Sequence, residues 1–294
     1  MEVGLKLIIV FLLQISPYDK LKIYAILTCG VAILIRITYE FYCKRNFPSV
    51  NFQFLWDKIA FKELIGFSSW NLLGCLSGVL RVQGVNVLLN VFFGTIINAA
   101  QGIANQVTSA VSGFVTNFQT ALNPPIVKYY ASNNTEKFTN LVFQGAKFSY
   151  YVMFLISLPI ILETGYVLKI WLKMTPDYAV LFCQLSLIFC LIDCLSGPLT
   201  VATMATGKQM LYQIIVSGSY LVILPMSYIL LKLGFPPQTT LFVCIVIAIL
   251  ALFGKLFVLK KLINFSFIHF VNQVLVRVSI VTVVSIIQQF RAKK

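Results

Sequence analysis

Apolar residues run through this chain in long continuous blocks joined by short polar connections, and one block breaks the pattern in an informative way. From Gln101 to Asn123 no charge occurs, yet Gln101, Asn105, Thr108, Ser109, Ser112, Thr116, Gln119 and Asn123 recur at steps of three, four or seven. At about 100° per residue these positions fall in one stripe of a helix. Ile103, Val107, Val111, Phe114, Phe118 and Leu122 fill the opposite side, and Gly102, Ala110 and Gly113 lie where a neighbouring helix can come close. A soluble helix would carry Lys and Glu on its wet face, but no charged residue occurs between Arg81 and Lys128. The pattern predicts a membrane helix with one side turned to water or sugar. The competing reading is glue between helices, since Ser, Thr, Asn and Gln hydrogen-bond there at roughly 0.6–2 kcal/mol each. So many polar groups in one line exceed what a single helix contact uses, which favours a solvated wall.

The other blocks predict about eight or nine spans in all. Residues 5–15 are a short apolar run, 21–42 a full span, and 51–67 an amphipathic segment that reads as an interfacial helix. The third span covers 67–93, with Gly74 and Gly78 as a helix-packing pair. Gly94 opens a tight turn, and the striped helix follows, ending at Asn123-Pro124-Pro125, a strong terminator. A loop carrying Lys128, Lys137 and Lys147 leads to a fifth span at 148–162, interrupted by Pro159. A sixth at 178–204 holds Asp193 near its middle and a kink at Pro198. Further spans are expected at 210–231, 239–259 and 267–290.

Composition agrees with this periodicity. Hydrophobic residues make up 59% of the chain and charged ones 11%, with mean hydropathy +0.89, outside the usual range of soluble domains. A β-barrel would alternate polarity over segments of about ten residues, whereas these runs are continuous and about twenty long. The expected fold is therefore all-α, a polytopic transmembrane bundle. The net charge of +14 would suggest nucleic acid in a soluble protein, but here the basic residues sit in connections and act as a topology signal. Placing 43–64 in the cytoplasm puts Lys44, Arg45, Lys58, Lys62, Lys128, Lys137, Lys147, Lys208, Lys255, Lys260 and Lys261 on that side against Lys20, Lys22, Lys169, Lys173 and Lys232 on the other, a bias of roughly two to one. A final span would send Arg291, Lys293 and Lys294 to the other side, so that segment is either incomplete or does not cross. The N-terminal apolar run lacks a small-residue cleavage site, so no cleavable signal is expected.

Several chemistries find no support. With His269 the single histidine, neither a Ser/His/Asp triad nor a two-histidine metal site can be built. Cys183, Cys190 and Cys194 share a helical face, but small apolar packing is the default for such cysteines and no CxxC pair occurs. Ala205-Thr206-Gly207-Lys208 lacks the flanking residues of a phosphate loop. No enzyme, cofactor, metal or nucleic-acid partner is expected. Arg36, Arg81, Arg277 and the lone carboxylate Asp193 lie within spans, where each should face a partner or water. Arg81 and Asp193 could form an ion pair that holds two helices together, or line a cationic cavity for an anionic headgroup; the two overlap because an arginine can exchange partners. Candidate substrate-binding residues are Arg81, Asn86, Asn90, Gln101, Asn105, Ser112, Gln119 and Asp193.

At the level of whole strings, QGVNVLLNVFFGTIINAAQGIANQV, NFQTALNPPIVKYYA, LSGPLTVATMATGKQMLYQI and LKLGFPPQTT resemble the polysaccharide and O-antigen flippases of the multidrug/oligosaccharidyl-lipid/polysaccharide exporter superfamily. The likeness covers most of 67–261. It implies a MATE-like architecture of two six-helix lobes around a central cavity, working by alternating access. On that implication 67–261 is the second lobe, 1–43 the tail of the first, 44–66 a cytoplasmic linker, and 262–294 an extra span with a basic tail, with roughly four N-terminal helices absent. The resemblance further implies a multi-pass protein of the bacterial inner membrane that moves undecaprenyl-diphosphate-linked oligosaccharide in lipopolysaccharide or other surface-polysaccharide synthesis. Its partners would be the bilayer, that lipid and a coupling cation. Alternatives are a cation-coupled drug antiporter of the same superfamily, a membrane glycosyltransferase or polymerase, and a non-functional fragment.

Overall fold

A computed structural model describes residues 9, 11, 20–47, 56–172, 175–263 and 265–292. All regular structure among the described residues is helical. The helices are α1 (Lys20–Asn46), α2 (Lys58–Ala131), α3 (Thr135–Leu162) and α4 (Thr164–Leu172). They are followed by α5 (Ala179–Ala205), α6 (Gln209–Lys232), α7 (Thr239–Ile263) and α8 (Phe267–Gln289). All except α4 are long and apolar enough to cross a membrane, by length and composition. The chain divides into two compact units, Met1–Phe61 and Lys62–Lys294; the division falls inside the 44–66 segment. The expected short run at 5–15 lies outside the described residues apart from Ile9 and Phe11.

At 74 residues and 1.5 Å per residue, a straight α2 would be about 110 Å long, against a hydrocarbon core of about 30 Å. It is not straight. Gly94 has φ 80° and ψ −172°, a conformation that only glycine adopts readily, and the two arms, 58–93 and 95–131, fold back beside each other there. Val85 and Leu89 of the first arm and Ile97, Ala100 and Ala104 of the second share one buried cluster with Phe182 and Leu185 of α5 and Ile223 of α6. A second cluster joins α3, α5, α7 and α8 through Phe143, Met153, Leu187, Leu256, Phe270 and Val274. The last helix thus belongs to the core of the larger unit, and Tyr150 Oη of α3 lies 2.8 Å from Thr282 Oγ1 on α8.

Three expected boundaries are corrected. The striped helix does not stop at Asn123-Pro124-Pro125 but continues to Ala131. Ile126 beyond the prolines is fully buried, and Tyr130 meets the Phe138 ring at 5.6 Å, so packing outweighs two lost backbone bonds. The lysine-bearing loop before the fifth span is helical as well, reduced to a turn at 132–134. Asn133 occupies the left-handed region at φ 55°, and the Asn134 side chain caps α3 by accepting from Lys137 N–H at 3.1 Å. Buried Phe138, Val142, Phe143 and Ala146 draw this first part of α3 into the core. Finally, of the interfacial helix expected at 51–67, residues 51–55 lie outside the described residues, and from Lys58 the chain runs unbroken into the span, capped by Asp57, whose Oδ1 accepts from Ile59 N–H at 2.8 Å.

Candidate functional site

The interior of the larger unit is organised by a break in α5. Pro198 has no N–H to offer the Cys194 carbonyl four residues earlier, and the chain tightens into a 3₁₀ turn at Cys194–Ser196. The Cys194 carbonyl accepts instead from Gly197 N–H and from Gln119 Nε2 at 2.8 Å. The striped arm of α2 is thereby tied to α5, at a point where a side chain on Gly197 would overlap the Gln119 amide. Asp193 ends the helical part before the turn, which aims it at the space between α2, α5, α6 and α7.

Three cavities meet at Asp193. The first, about 280 Å³, is walled by Arg81 of the first arm, by Gln101, Asn105 and Ser112 of the stripe, and by Ser186 and Asp193 of α5. The second, about 300 Å³, lies between Arg81, Asp193, Tyr212, Ser217, Tyr220 and Lys255. The third, about 170 Å³, has Ser112, Thr116, Gln119, Asp193, Thr200 and Lys255 on its wall. On the first wall Gln101 Oε1 and Ser186 Oγ are buried without a protein hydrogen-bond partner, as suits groups facing a polar occupant or water. Other stripe groups are spent locally: Gln101 Nε2 donates to Asn105 Oδ1 at 3.1 Å, and Thr108 Oγ1 donates to the Ala104 carbonyl at 2.9 Å.

Arg81 and Asp193 share two cavities but form no direct ion pair within 4.0 Å. Each has another neighbour. Tyr220 Oη donates to Asp193 Oδ1 at 3.0 Å, and the Arg81 guanidinium lies 4.6 Å from the centre of the Phe189 ring and 5.8 Å from that of Tyr220, in the range of cation–π attraction. The two aromatic rings hold the arginine beside Cys244 at the junction of the first two cavities.

The structure brings together Arg81, Gln101, Asn105, Ser112, Gln119 and Asp193 around these cavities. It places Asn86 and Asn90 elsewhere. At 100° per residue they lie about 140° and 180° around the helix from Arg81; Asn86 Nδ2 sits 3.5 Å from Gln83 Oε1 and Asn90 is exposed. Arg36 and Arg277 are exposed too. Gly74 meets the Gln213 side chain of α6, while Gly78 has open space beside it. No group of three or more His, Cys, Asp or Glu side chains is placed to hold a metal among the described residues.

One functional candidate escaped the sequence reading. Lys255, placed there in a cytoplasmic connection, is inside α7 and only 5% exposed. The helix extends to Ile263, two turns past it, and the site's charge set includes a second cation. The only available signal was that Lys255 precedes Lys260-Lys261 by more than a helical turn of apolar sequence. Matched against protein families, curated proteins and solved structures, the chain returns no match.

Proposed function

We propose that the chain transports a lipid-linked oligosaccharide across the bacterial inner membrane, as a flippase in surface-polysaccharide synthesis. The observation that carries this reading is the charge of the interior: Arg81 and Lys255 face the same cavities as the single carboxylate Asp193, leaving one excess positive charge among amides and hydroxyls. Arg81 would take the diphosphate of the lipid, Gln101, Asn105 and Ser112 would take sugar hydroxyls, and the polyprenyl tail would stay in the bilayer. With the arms of α2 counted separately, eight described helices are long and apolar enough to cross. On this reading 67–261 is a six-helix, MATE-like second lobe with α8 an extra span, and alternating access would open the polar interior to each side in turn. The string-level resemblance adds support of a different kind.

A cation-coupled drug antiporter is the second reading, favoured by Asp193 lying on all three cavities with a tyrosine hydroxyl bound to it. The two readings separate on charge. The chain in lipid nanodiscs is titrated with a short-chain polyprenyl-diphosphate oligosaccharide, with the matching uncharged polyprenol, and with a lipophilic cationic drug. The flippase reading expects only the diphosphate lipid to bind, with a loss of tenfold or more in Arg81→Ala, in line with the roughly 1.5–3 kcal/mol of a charge-assisted hydrogen bond. Arg81→Lys keeps part of the affinity because it keeps charge but not the planar fork, and Asp193→Asn matters less. Binding of the cationic drug alone, lost in Asp193→Asn and kept in Arg81→Ala, would put the antiporter first.

A further inference from the structure

We infer that the seam between α3 and α8 binds an anionic phospholipid of the surrounding bilayer, with the headgroup on Lys147 and Arg277. Both residues lie outside the three cavities, and the inference stands apart from the transport reading.

The seam is fixed at two levels. Phe143 of α3 meets Phe270 and His269 of α8 with ring centres 5.6 and 6.4 Å apart, and farther along Tyr150 Oη lies 2.8 Å from Thr282 Oγ1. The two helices therefore run side by side in the same direction. Lys147 stands one turn beyond Phe143 and about 40° around α3 from it, at the partly exposed rim of the helix. On α8, Gln273 and Arg277 follow His269 at steps of four. Eight residues of plain helix would carry Arg277 about 80° away from His269, but the π turn at Val271–Leu275 between them is wider, advances less per residue and offsets most of that drift. His269 and Arg277, both exposed, thus share the side of α8 that adjoins Phe143.

The charge along this seam is of one sign. Beyond Glu136 in its first turn α3 carries no carboxylate, and α7 and α8 carry none at all. Neither Lys147 nor Arg277 enters a hydrogen bond or ion pair with the described residues. Charge complementarity calls for an anion, and depth and surroundings narrow its class. Lys147 opens an uncharged run that lasts to Glu163, a rise of about 24 Å against a hydrocarbon core of about 30 Å, which puts these two residues near opposite headgroup levels. Past the cations the seam turns apolar: Leu155 of α3 and Val281 and Val284 of α8 are exposed. A soluble anion has no use for that surface. A phospholipid places its phosphate on the lysine and arginine and lays its chains along the apolar residues, the arrangement of a basic groove between membrane helices.

The test takes the whole chain in neutral detergent and adds phosphatidylglycerol, cardiolipin, phosphatidylcholine or inorganic phosphate in separate arms. Retained lipid is counted by native mass spectrometry, and stability is followed by thermal unfolding. The anionic lipids are expected to stay bound and to raise the melting temperature by several degrees, as a ligand of the native state does, while phosphatidylcholine and phosphate do neither. Lys147→Gln combined with Arg277→Gln should lower retention at least fivefold, and Lys147→Arg should keep it. Lys208→Gln, at an exposed lysine between α5 and α6, should leave it unchanged. One measurement needs no substitution, so a variant that failed to fold would not remove the test: a phosphatidylglycerol analogue with a photoreactive headgroup should label 144–151 and 269–277 of the unaltered chain. The inference is overturned if phosphatidylcholine is retained equally, if inorganic phosphate stabilises as much as the anionic lipids, or if the folded double variant retains them as before. It is overturned as well if Lys208→Gln lowers retention as much as the double variant, which would make the effect one of overall charge, or if the photolabel falls elsewhere.

Discussion

The fold-back of α2 depends on one residue, and replacing it by alanine gives a cost that can be worked out in advance. At φ 80° and ψ −172° Gly94 occupies a region closed to residues with a Cβ, where strain is of order 1–3 kcal/mol. The cost is purely one of backbone, because no atom lies within 4 Å of the Cβ that alanine would bring. Restricting the unfolded chain returns about 0.4–1 kcal/mol, leaving Gly94→Ala less stable by up to about 2.6 kcal/mol and by roughly 1.3 kcal/mol at the midpoints. For a unit of this size about 2–4 °C is lost per kcal/mol, so the melting temperature should fall by roughly 3–5 °C at the midpoint and by at most about 10 °C. Gly102→Ala is the matched control, since Gly102 is helical with open space beside it. There alanine should stabilise by about 0.5–1 kcal/mol. The two substitutions are chemically identical and should move thermal unfolding in detergent in opposite directions. Asparagine, which tolerates the ordinary left-handed region, should not rescue position 94 because ψ lies far from that region. A Gly94→Ala variant that melts with or above Gly102→Ala, or a Gly94→Asn variant that matches the wild type, would refute this account of the hairpin.

Two further outcomes can be checked. With the native cavity cysteines replaced by serine, single cysteines at Asn105 and Ser112, on the cavity wall, should react with small water-soluble thiol reagents much faster than cysteines at buried Val111 and Val115; equal protection of both sets would mean that the stripe is helix glue. Tyr150→Phe and Thr282→Val should each destabilise by about 0.5–1.5 kcal/mol, and the double variant by less than the sum, because removing both partners leaves no unpaired hydroxyl; strictly additive melting shifts would mean that the 2.8 Å contact contributes nothing.

Charge inside an apolar run is visible without coordinates, which is why Arg81 and Asp193 stood out and why both are found at the same cavities. The exclusion of Asn86 and Asn90 from those cavities needed the rotation of the first arm, and the third span presents two polar faces that hydropathy treats alike. Lys255 is the opposite case. Its position near the end of a hydrophobic run suits an interfacial lysine as well as an interior one, and only the continuation of α7 to Ile263 against α5 and α6 decides for the interior. The prolines divide in the same way. Pro198 breaks α5, where Gln119 can take the freed carbonyl, whereas Pro124 and Pro125 are carried inside a helix because the residues beyond them are buried.

What the sequence determined by itself is therefore the helical class, the membrane-compatible length of the helices, the hinge at Gly94 and the polar stripe, since each is a local pattern repeated along one element. What only the tertiary structure decided is which side of each helix meets which neighbour. That choice made Gln119 a tie to α5, turned Asn90 outward and gave the interior a second cation. Contacts between elements distant in the chain set these outcomes, and periodicity within one helix carries no information about its rotation against the next.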